Sequence, residues 1–159
     1  MHILMCNDDG ILADGLRHLA SYLSQYYRIT VVAPANEQSA KSHALTTEVP
    51  LKLDACNGED ENPRLYALTG TPSDCMKFGL SYLLADDMPD LVISGINHGF
   101  NLGSDVLYSG TVSAAMESGF YGIPGLALSV ERYSVERGDE MHPFIHELIE
   151  KIYVAGQFS

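Results

Sequence analysis

The stretch around which the chain is organised is His2-Ile3-Leu4-Met5-Cys6-Asn7-Asp8-Asp9-Gly10, an apolar segment that ends in an amide, two adjacent acids and a glycine. Its short apolar run, residues 3–6, predicts a buried strand. Two neighbouring carboxylates at the end of such a strand repel each other, so their charge needs compensation. A raised pKa on one acid, a nearby basic side chain or a bound divalent cation would each provide it. The first Lys or Arg is Arg17, which favours the cation.

Length and composition indicate an ordered globular chain, which we treat as a single domain over residues 1–159. Hydrophobic residues make up 46% of the chain and charged residues 19%. The net charge of −12 disfavours nucleic-acid polymers and anionic membrane surfaces as partners, because binding to phosphate backbones needs clustered Lys and Arg. Three cysteines without C-x-x-C spacing, and no apolar run of membrane-spanning length, predict a cytoplasmic protein.

Strand and helix patterns alternate along the chain, which predicts an α/β fold. Strands are predicted over residues 3–6, 29–33, 49–53, 64–68, 90–94 and 126–130. Helices are predicted over residues 14–24 with Asp14 as the N-cap, from Pro72 onward with Thr71 as the N-cap, over 111–121 with Gly122 as a stop signal, and over 143–154. A glycine-rich loop is predicted over 95–110. This order is typical of a three-layer, doubly wound, Rossmann-like sheet that is mostly parallel.

Three polar segments, residues 7–10, 36–43 and 95–111, then lie at the carboxyl edge of this sheet, where such folds bind ligands. Asp8 and Asp9 suit a hard divalent cation, although a turn in which Gly10 supplies a positive φ would use one of them. Asn97 and Asn101 offer further amide oxygens in the glycine-rich segment. Ser39, taken alone, is an ordinary loop serine.

The segment Ser109-Gly110-Thr111 leads directly into a predicted helix. The start of a helix offers N–H groups and a positive dipole, which suit a phosphate. Capping of the helix by Ser109 or Thr111 explains the same residues equally well.

Five motifs in this order resemble the SurE (survival protein E) family over about residues 3 to 130. They are Asn7-Asp8-Asp9-Gly10, Val32-Ala33-Pro34 with Gln38-Ser39, Gly70-Thr71-Pro72-Ser73-Asp74-Cys75, Pro89-Asp90-Leu91-Val92-Ile93-Ser94-Gly95-Ile96-Asn97 and Tyr108-Ser109-Gly110-Thr111-Val112. Members of this family are metal-dependent phosphatases of nucleoside monophosphates, that is 5'- or 3'-nucleotidases, some of which also act on short polyphosphates.

The resemblance implies a function and a set of site residues. The divalent metal, Mg²⁺ or Mn²⁺, would be held by Asp8, Asp9, Ser39 and Asn97, with Asp8, Asp9 and Asn97 as the catalytic residues. The substrate phosphate would be bound by Asn101, Ser109, Gly110 and Thr111. The resemblance also implies a homo-oligomer. Family members continue with further strands and an arm that packs on a partner subunit, so we expect either a C-terminally shortened form of the fold or a fragment of it.

Two alternative functions remain open from the residues. A receiver-like phospho-signalling module would also carry paired acids after its first strand, but Ser94-Gly95 stands where such a module has its phosphoacceptor Asp. A catalytically inactive nucleotide-binding fragment is the other alternative. Among the histidines, His98 would either contact substrate or point to solvent. His142 and His146 have metal-ligand spacing, but we expect them on a solvated helix face.

Overall fold

A computed structural model describes residues 1–38 and 43–154. Six strands are present: β1 (His2–Cys6), β2 (Arg28–Pro34), β3 (Leu53–Ala55), β4 (Arg64–Leu68), β5 (Leu91–His98) and β6 (Gly125–Val130). Four α-helices accompany them: α1 (Asp14–Leu23), α2 (Pro72–Phe78), α3 (Gly110–Glu117) and α4 (Val135–Val154). A π-helical turn (Gly79–Leu83) extends α2, and two 3₁₀ turns (Gly103–Tyr108 and Ser118–Tyr121) flank α3.

The six strands form one sheet in the order β3-β4-β2-β1-β5-β6. All neighbouring strands are parallel except β3 and β4, which confirms the prediction of a mostly parallel, doubly wound α/β sheet. The chain runs outward from β1 through β2 to β4, then returns to place β5 and β6 on the other side of β1. The order therefore reverses between β1 and β5, and doubly wound sheets bind ligands in the crevice at this switch point.

Helices cover both faces of the sheet. Leu16 of α1 and Ile145 of α4 pack with Ile3 and Met5 on one face. On the other face, the helices α2 and α3 pack on the sheet. Cys75 and Met76 of α2 and Ala114 of α3 form one buried cluster with Leu4 and Cys6 of β1. Because both of its faces are covered, β1 is apolar along its length instead of alternating with polar residues.

Strand β5 is longer than predicted. Its prediction ended at residue 94, whereas the strand continues to His98, and its register against β6 shifts between Ser94 and Asn97. Gly95 allows this irregular step because it adopts φ +129°, and a Cβ there would overlap the carbonyl oxygen of Leu128. The predicted glycine-rich loop accordingly starts only after His98.

Helix α4 also begins earlier than predicted, at Val135 instead of residue 143, and contains Pro143 in its interior. An interior proline loses a backbone hydrogen bond and costs about 3 kcal/mol. Packing of the preceding turns offsets this cost, because Gly138 lies against the Tyr133 hydroxyl and His142 is buried. Over residues 1–38 and 43–154, no helix is long and apolar enough to cross a membrane.

The expectation that His142 and His146 lie on a solvated face was wrong. His142 is 3% exposed and its ring lies 5.4 Å from that of Tyr22, while the ring of His146 stacks on Tyr26 at 4.1 Å. Both histidines therefore belong to the contact between α1 and α4, which sequence spacing along one helix did not reveal.

Three smaller boundaries differ from the prediction. The short strand β3 lies over Leu53–Ala55 instead of residues 49–53, because only these residues pair with β4. Ala13 precedes the first turn of α1 without a side-chain capping bond, and Asp14 is the first helical residue instead of the cap. The α-helix α3 ends at Glu117, and the following 3₁₀ turn ends at Tyr121, just before Gly122, the predicted stop.

Burial of His142 makes a prediction about stability and pH. Burial lowers its pKa, His18 acts in the same direction and Asp139 opposes them. Between this lowered pKa and the ordinary value of about 6.5, the unfolded state binds more protons than the folded state. The free energy of unfolding should therefore fall as the pH drops through about 6.5, and level off below the lowered pKa.

Denaturant unfolding between about pH 5 and pH 8 measures this dependence. The variant His142→Gln should flatten this fall in the free energy of unfolding. Some dependence should persist in His142→Gln, because burial and Arg28 also lower the pKa of His2. An unchanged slope in His142→Gln would contradict the prediction.

Candidate active site

Asn7 closes the turn that presents the two acids. Its amide nitrogen donates to the carbonyl of Gly10 at 3.0 Å, and its amide oxygen accepts the Gly10 N–H at 3.1 Å. Gly10 adopts φ +101°, as the turn requires. Asn7 is fully buried, so this turn rigidly holds Asp8 and Asp9 at the carboxyl end of β1. No role was predicted for Asn7, although an asparagine three residues before a glycine at a strand end is a signal for such a turn.

Asp8 is fixed by a distant part of the chain. Its carboxylate accepts a hydrogen bond from the Thr111 hydroxyl at 2.7 Å, and its backbone carbonyl accepts one from the Gln38 N–H at 2.7 Å. A Cβ on Gly110 would lie 2.9 Å from the Asp8 Cβ, so only glycine lets the first turn of α3 approach this closely. The start of α3 therefore packs directly on the paired acids.

Asp9 is in an unfavourable electrostatic position. Burial raises the pKa of its carboxyl, the neighbouring Asp8 carboxylate raises it further, and the backbone N–H of His98 opposes this by donating to it. Burial and a neighbouring negative charge both destabilise the charged form of a carboxylate. A positive charge beside Asp9 would stabilise its carboxylate against both effects.

Asn97 lies where β5 ends, in the same crevice. Its amide nitrogen donates to the Gly99 carbonyl at 2.8 Å, which leaves the amide oxygen as the atom suited to a cation. His98 follows it with an exposed side chain that borders the same cavity. Side chains from the ends of β1 and β5 are thus brought together, as the switch point of the sheet predicts.

These residues border an acidic cavity of about 550 Å³. Its lining consists of Asp8, Asp9, Ala13, Asp14, Gly15, Glu37, Ile96, Asn97, His98 and Tyr133. Within the part of the chain that the structure describes, this lining contains carboxylates but no Lys or Arg. Such a set of oxygen atoms suits a hard divalent cation. No cluster of three or more His, Cys, Asp or Glu with metal-binding geometry occurs among the described residues, so an amide or hydroxyl oxygen would have to complete the shell.

The residues predicted to bind phosphate have more specific roles in the structure than their sequence pattern indicated. Ser109 is the N-cap of α3, and its hydroxyl accepts the Val112 N–H at 3.2 Å. The Thr111 hydroxyl is engaged with Asp8, so the N–H groups of Gly110 and Thr111 are what this helix start offers to a phosphate.

Two of the predicted site residues, Asn101 and Ser39, are not among those that the structure brings together near the paired acids. Asn101 donates from its amide nitrogen to the Ser129 hydroxyl at 2.7 Å, which ties the loop after β5 to β6. Ser39 lies outside the described residues. The structure brings together Asp8, Asp9 and Asn97, with Gly110 and Thr111 beside Asp8.

A doubly wound α/β sheet with an acidic, oxygen-lined cavity and a helix start at its switch point defines a Rossmann-like protein with a candidate cation and phosphate site. The family model described as "Survival protein SurE" matches residues 3–157. The chain belongs to the SurE family, which confirms the resemblance of its five motifs.

Individual relatives agree with this assignment. The protein named 5'-nucleotidase SurE from Thermoanaerobacter sp. (strain X514) is 49% identical over 156 residues, which cover 98% of this chain and 61% of that relative. The one from Vibrio vulnificus (strain YJ016) is 50% identical over 130 residues, covering 82% of this chain and 49% of its own length. The crystal structure of the SurE protein from Aquifex aeolicus superposes with a TM-score of 0.83 at 38% identity, over 96% of this chain and 60% of that one.

These comparisons confirm the predicted fold class and support neither alternative function. The chain spans about three fifths of the length of the first of these curated relatives.

Proposed function

We propose that this chain catalyses the metal-dependent hydrolysis of nucleoside monophosphates to a nucleoside and phosphate, a 5'- or 3'-nucleotidase activity. The observation that carries the proposal is the hydrogen bond between the Thr111 hydroxyl and the Asp8 carboxylate. It places the start of α3, which suits a phosphate, directly beside the pair of acids, which suits a cation. The matched relatives named 5'-nucleotidase SurE support the choice of substrate.

Each residue then has a role that follows from its position. Asp8, Asp9 and the amide oxygen of Asn97 would hold the cation, and Ser39 is the fourth ligand that family resemblance implies. A divalent cation held there, Mg²⁺ or Mn²⁺, stabilises negative charge on the phosphoryl oxygens and makes water more nucleophilic.

The protein groups supply orientation and hydrogen bonds. The N–H groups of Gly110 and Thr111 donate to phosphoryl oxygens and stabilise the charge that develops on them. Asp8 and Asp9 accept hydrogen bonds from the attacking water and orient it towards phosphorus. Thr111 acts as a positioning residue, because its hydroxyl fixes the rotamer of Asp8. We retain Asn101 and Ser109 as phosphate-binding residues of the proposal, with Ser109 acting chiefly through the capping of α3.

The proposal also includes the cellular compartment, the class of substrate and the oligomeric state. Three free cysteines, two of them buried, support a reducing compartment such as the cytoplasm. The substrate is a small phosphorylated molecule and not a nucleic-acid polymer, in keeping with the net charge of −12. A homo-oligomer is proposed from family resemblance.

Phosphate release from adenosine monophosphate by the chain of 159 residues tests the proposal. Turnover should require Mg²⁺ or Mn²⁺ and should stop on addition of EDTA. Binding of the nucleotide without turnover would indicate the inactive fragment and would refute the enzymatic proposal. Stable phosphorylation of the protein by acetyl phosphate would indicate the receiver-like module instead.

The role of Thr111 makes a separate prediction. Thr111→Val removes the hydroxyl that donates to Asp8 while keeping the side-chain shape, and it should weaken Mn²⁺ binding and lower kcat/KM by about 10- to 100-fold. Thr111→Ser keeps the hydroxyl and should retain most of both. Calorimetry measures the Mn²⁺ affinity independently of turnover. Equal affinities for the valine and serine variants would show that the hydrogen bond does not position Asp8.

A further inference from the structure

The candidate active-site cavity extends beyond the residues that would bind metal and phosphate. A second part of its wall is formed by the first turn of α1, by Ile96 and by Tyr133, which follows β6. Gly15 lies against the backbone of Ile96, where a Cβ would come within 2.7 Å of the carbonyl oxygen. The volume of about 550 Å³ is in the range of pockets that hold an organic ligand of nucleotide size, and exceeds what a phosphate and a metal ion fill.

Tyr133 is held in place within this wall. Its hydroxyl lies 3.2 Å from Nδ1 of His18 on α1, and the ring packs in part against the core. Gly138 of α4 faces the same hydroxyl, and a Cβ at that position would lie only 2.5 Å from the oxygen. Contacts from two helices thus fix the ring before any ligand binds, so little side-chain entropy would be lost on binding.

The position of Tyr133 differs from that of the other aromatic side chains near the site. Phe100 and Tyr108, which flank the predicted phosphate-binding residues, are 57% and 67% exposed and do not line the cavity. Of all the Phe and Tyr residues that the structure describes, only Tyr133 is part of the cavity lining. Tyr133 is partly buried against the core and borders the polar cavity, so it is the aromatic side chain placed to meet a ligand there.

We propose that Tyr133 contacts the nucleoside part of the substrate, with its ring stacked on the base while the phosphate lies near Asp8 and the start of α3. This inference rests on the proposed function and names the group that recognises the nucleoside. Stacking of a base on an aromatic side chain contributes about 1–3 kcal/mol and is tolerant of base identity, since every base has a π-face. Tyr133 therefore distinguishes nucleotides from sugar phosphates that lack a base, and it distinguishes little among the bases.

The test compares adenosine monophosphate with ribose 5-phosphate, which has the same reacting group but no base. Tyr133→Leu should lower kcat/KM for the nucleotide by about tenfold, chiefly through a higher KM, and leave that for ribose 5-phosphate unchanged. Tyr133→Phe keeps the ring but loses the contact of the hydroxyl with His18, so it should retain most of the kcat/KM for the nucleotide. The affinity for adenosine monophosphate, measured by calorimetry in EDTA and so independently of turnover, should likewise fall in Tyr133→Leu and be mostly retained in Tyr133→Phe.

The possible outcomes are distinguishable. An equal loss on both substrates in Tyr133→Leu would show a structural role and overturn the inference, as would an unchanged nucleotide affinity. If Tyr133→Leu does not fold, the unmodified chain decides: kcat/KM should be at least about tenfold higher for the nucleotide than for ribose 5-phosphate, and equal values overturn the inference. Failure of the unmodified chain to hydrolyse either substrate, with intact nucleotide affinity that depends on Tyr133, would refute the proposed enzymatic function and leave this inference standing.

Discussion

Replacing Asp8 by asparagine is expected to lower the metal-dependent kcat/KM for adenosine monophosphate by at least about 10²-fold. Asparagine preserves the size of the side chain and can still accept the hydrogen bond from the Thr111 hydroxyl. It removes one negative charge from the pair of acids, so a divalent cation should bind more weakly. Because less charge is buried, thermal stability in the absence of metal should be unchanged or higher.

Asp14→Asn is the matched control for this variant. Asp14 lines the same cavity, but it is exposed, lies in the first turn of α1 and is not one of the proposed metal ligands. Its replacement should change kcat/KM by less than about threefold, as expected for an exposed charge screened by solvent. Full Mg²⁺- or Mn²⁺-dependent activity in Asp8→Asn would show that the assignment of the metal ligands is wrong.

Replacing Gly95 by alanine should have the largest effect on stability. The residue adopts φ +129°, and a Cβ there would overlap the carbonyl oxygen of Leu128 in the neighbouring strand β6. Backbone strain and forced separation of β5 from the edge strand β6 together should lower the free energy of unfolding by about 3–5 kcal/mol. The shift would also move Asn97, so Mn²⁺ affinity should fall in whatever fraction of the protein remains folded.

Gly99→Ala provides the control for the steric part of this effect. Gly99 also has a positive φ, +111°, but the nearest heavy atom to a Cβ there is the Asn97 amide nitrogen at 3.9 Å. Only the backbone strain applies, so its replacement should cost about 1–2 kcal/mol. Urea unfolding of both variants measures the difference, and equal losses would show that close packing against β6 is not what requires glycine at position 95.

Much of the fold could be predicted from local patterns. The apolar run before Asn7 identified β1, and Thr71 followed by Pro72 identified the start of α2. Thr71 is the expected cap, and the Asp74 side chain completes a reciprocal cap that was not predicted. The strand over Arg64–Leu68 was predicted at its exact bounds. These signals succeed because chain stiffness, capping and turn geometry are determined by residues within a few positions of each other.

The candidate site was predicted in outline for a related reason. Parallel strands end at one edge of a sheet, so the polar residues after β1 and β5 had to meet once the alternation of strands and helices was recognised. The pairing of Asp8 with Asn97 in one cavity follows from this argument. The lengths of β5 and α4 were missed, because the pairing of β5 with β6 and the packing of α4 on α1 override the local signals of Gly95 and Pro143.

Local sequence was thus sufficient to determine that this chain forms a doubly wound sheet and that paired acids follow its first strand. The tertiary structure alone decided what those acids touch. Thr111 stands 103 positions from Asp8 in the chain, and Tyr133 stands 115 from His18, yet each pair is joined by a hydrogen bond. Such contacts depend on how helices pack across the sheet, which is set by the shapes and volumes of buried side chains from every element at once and not by any one segment.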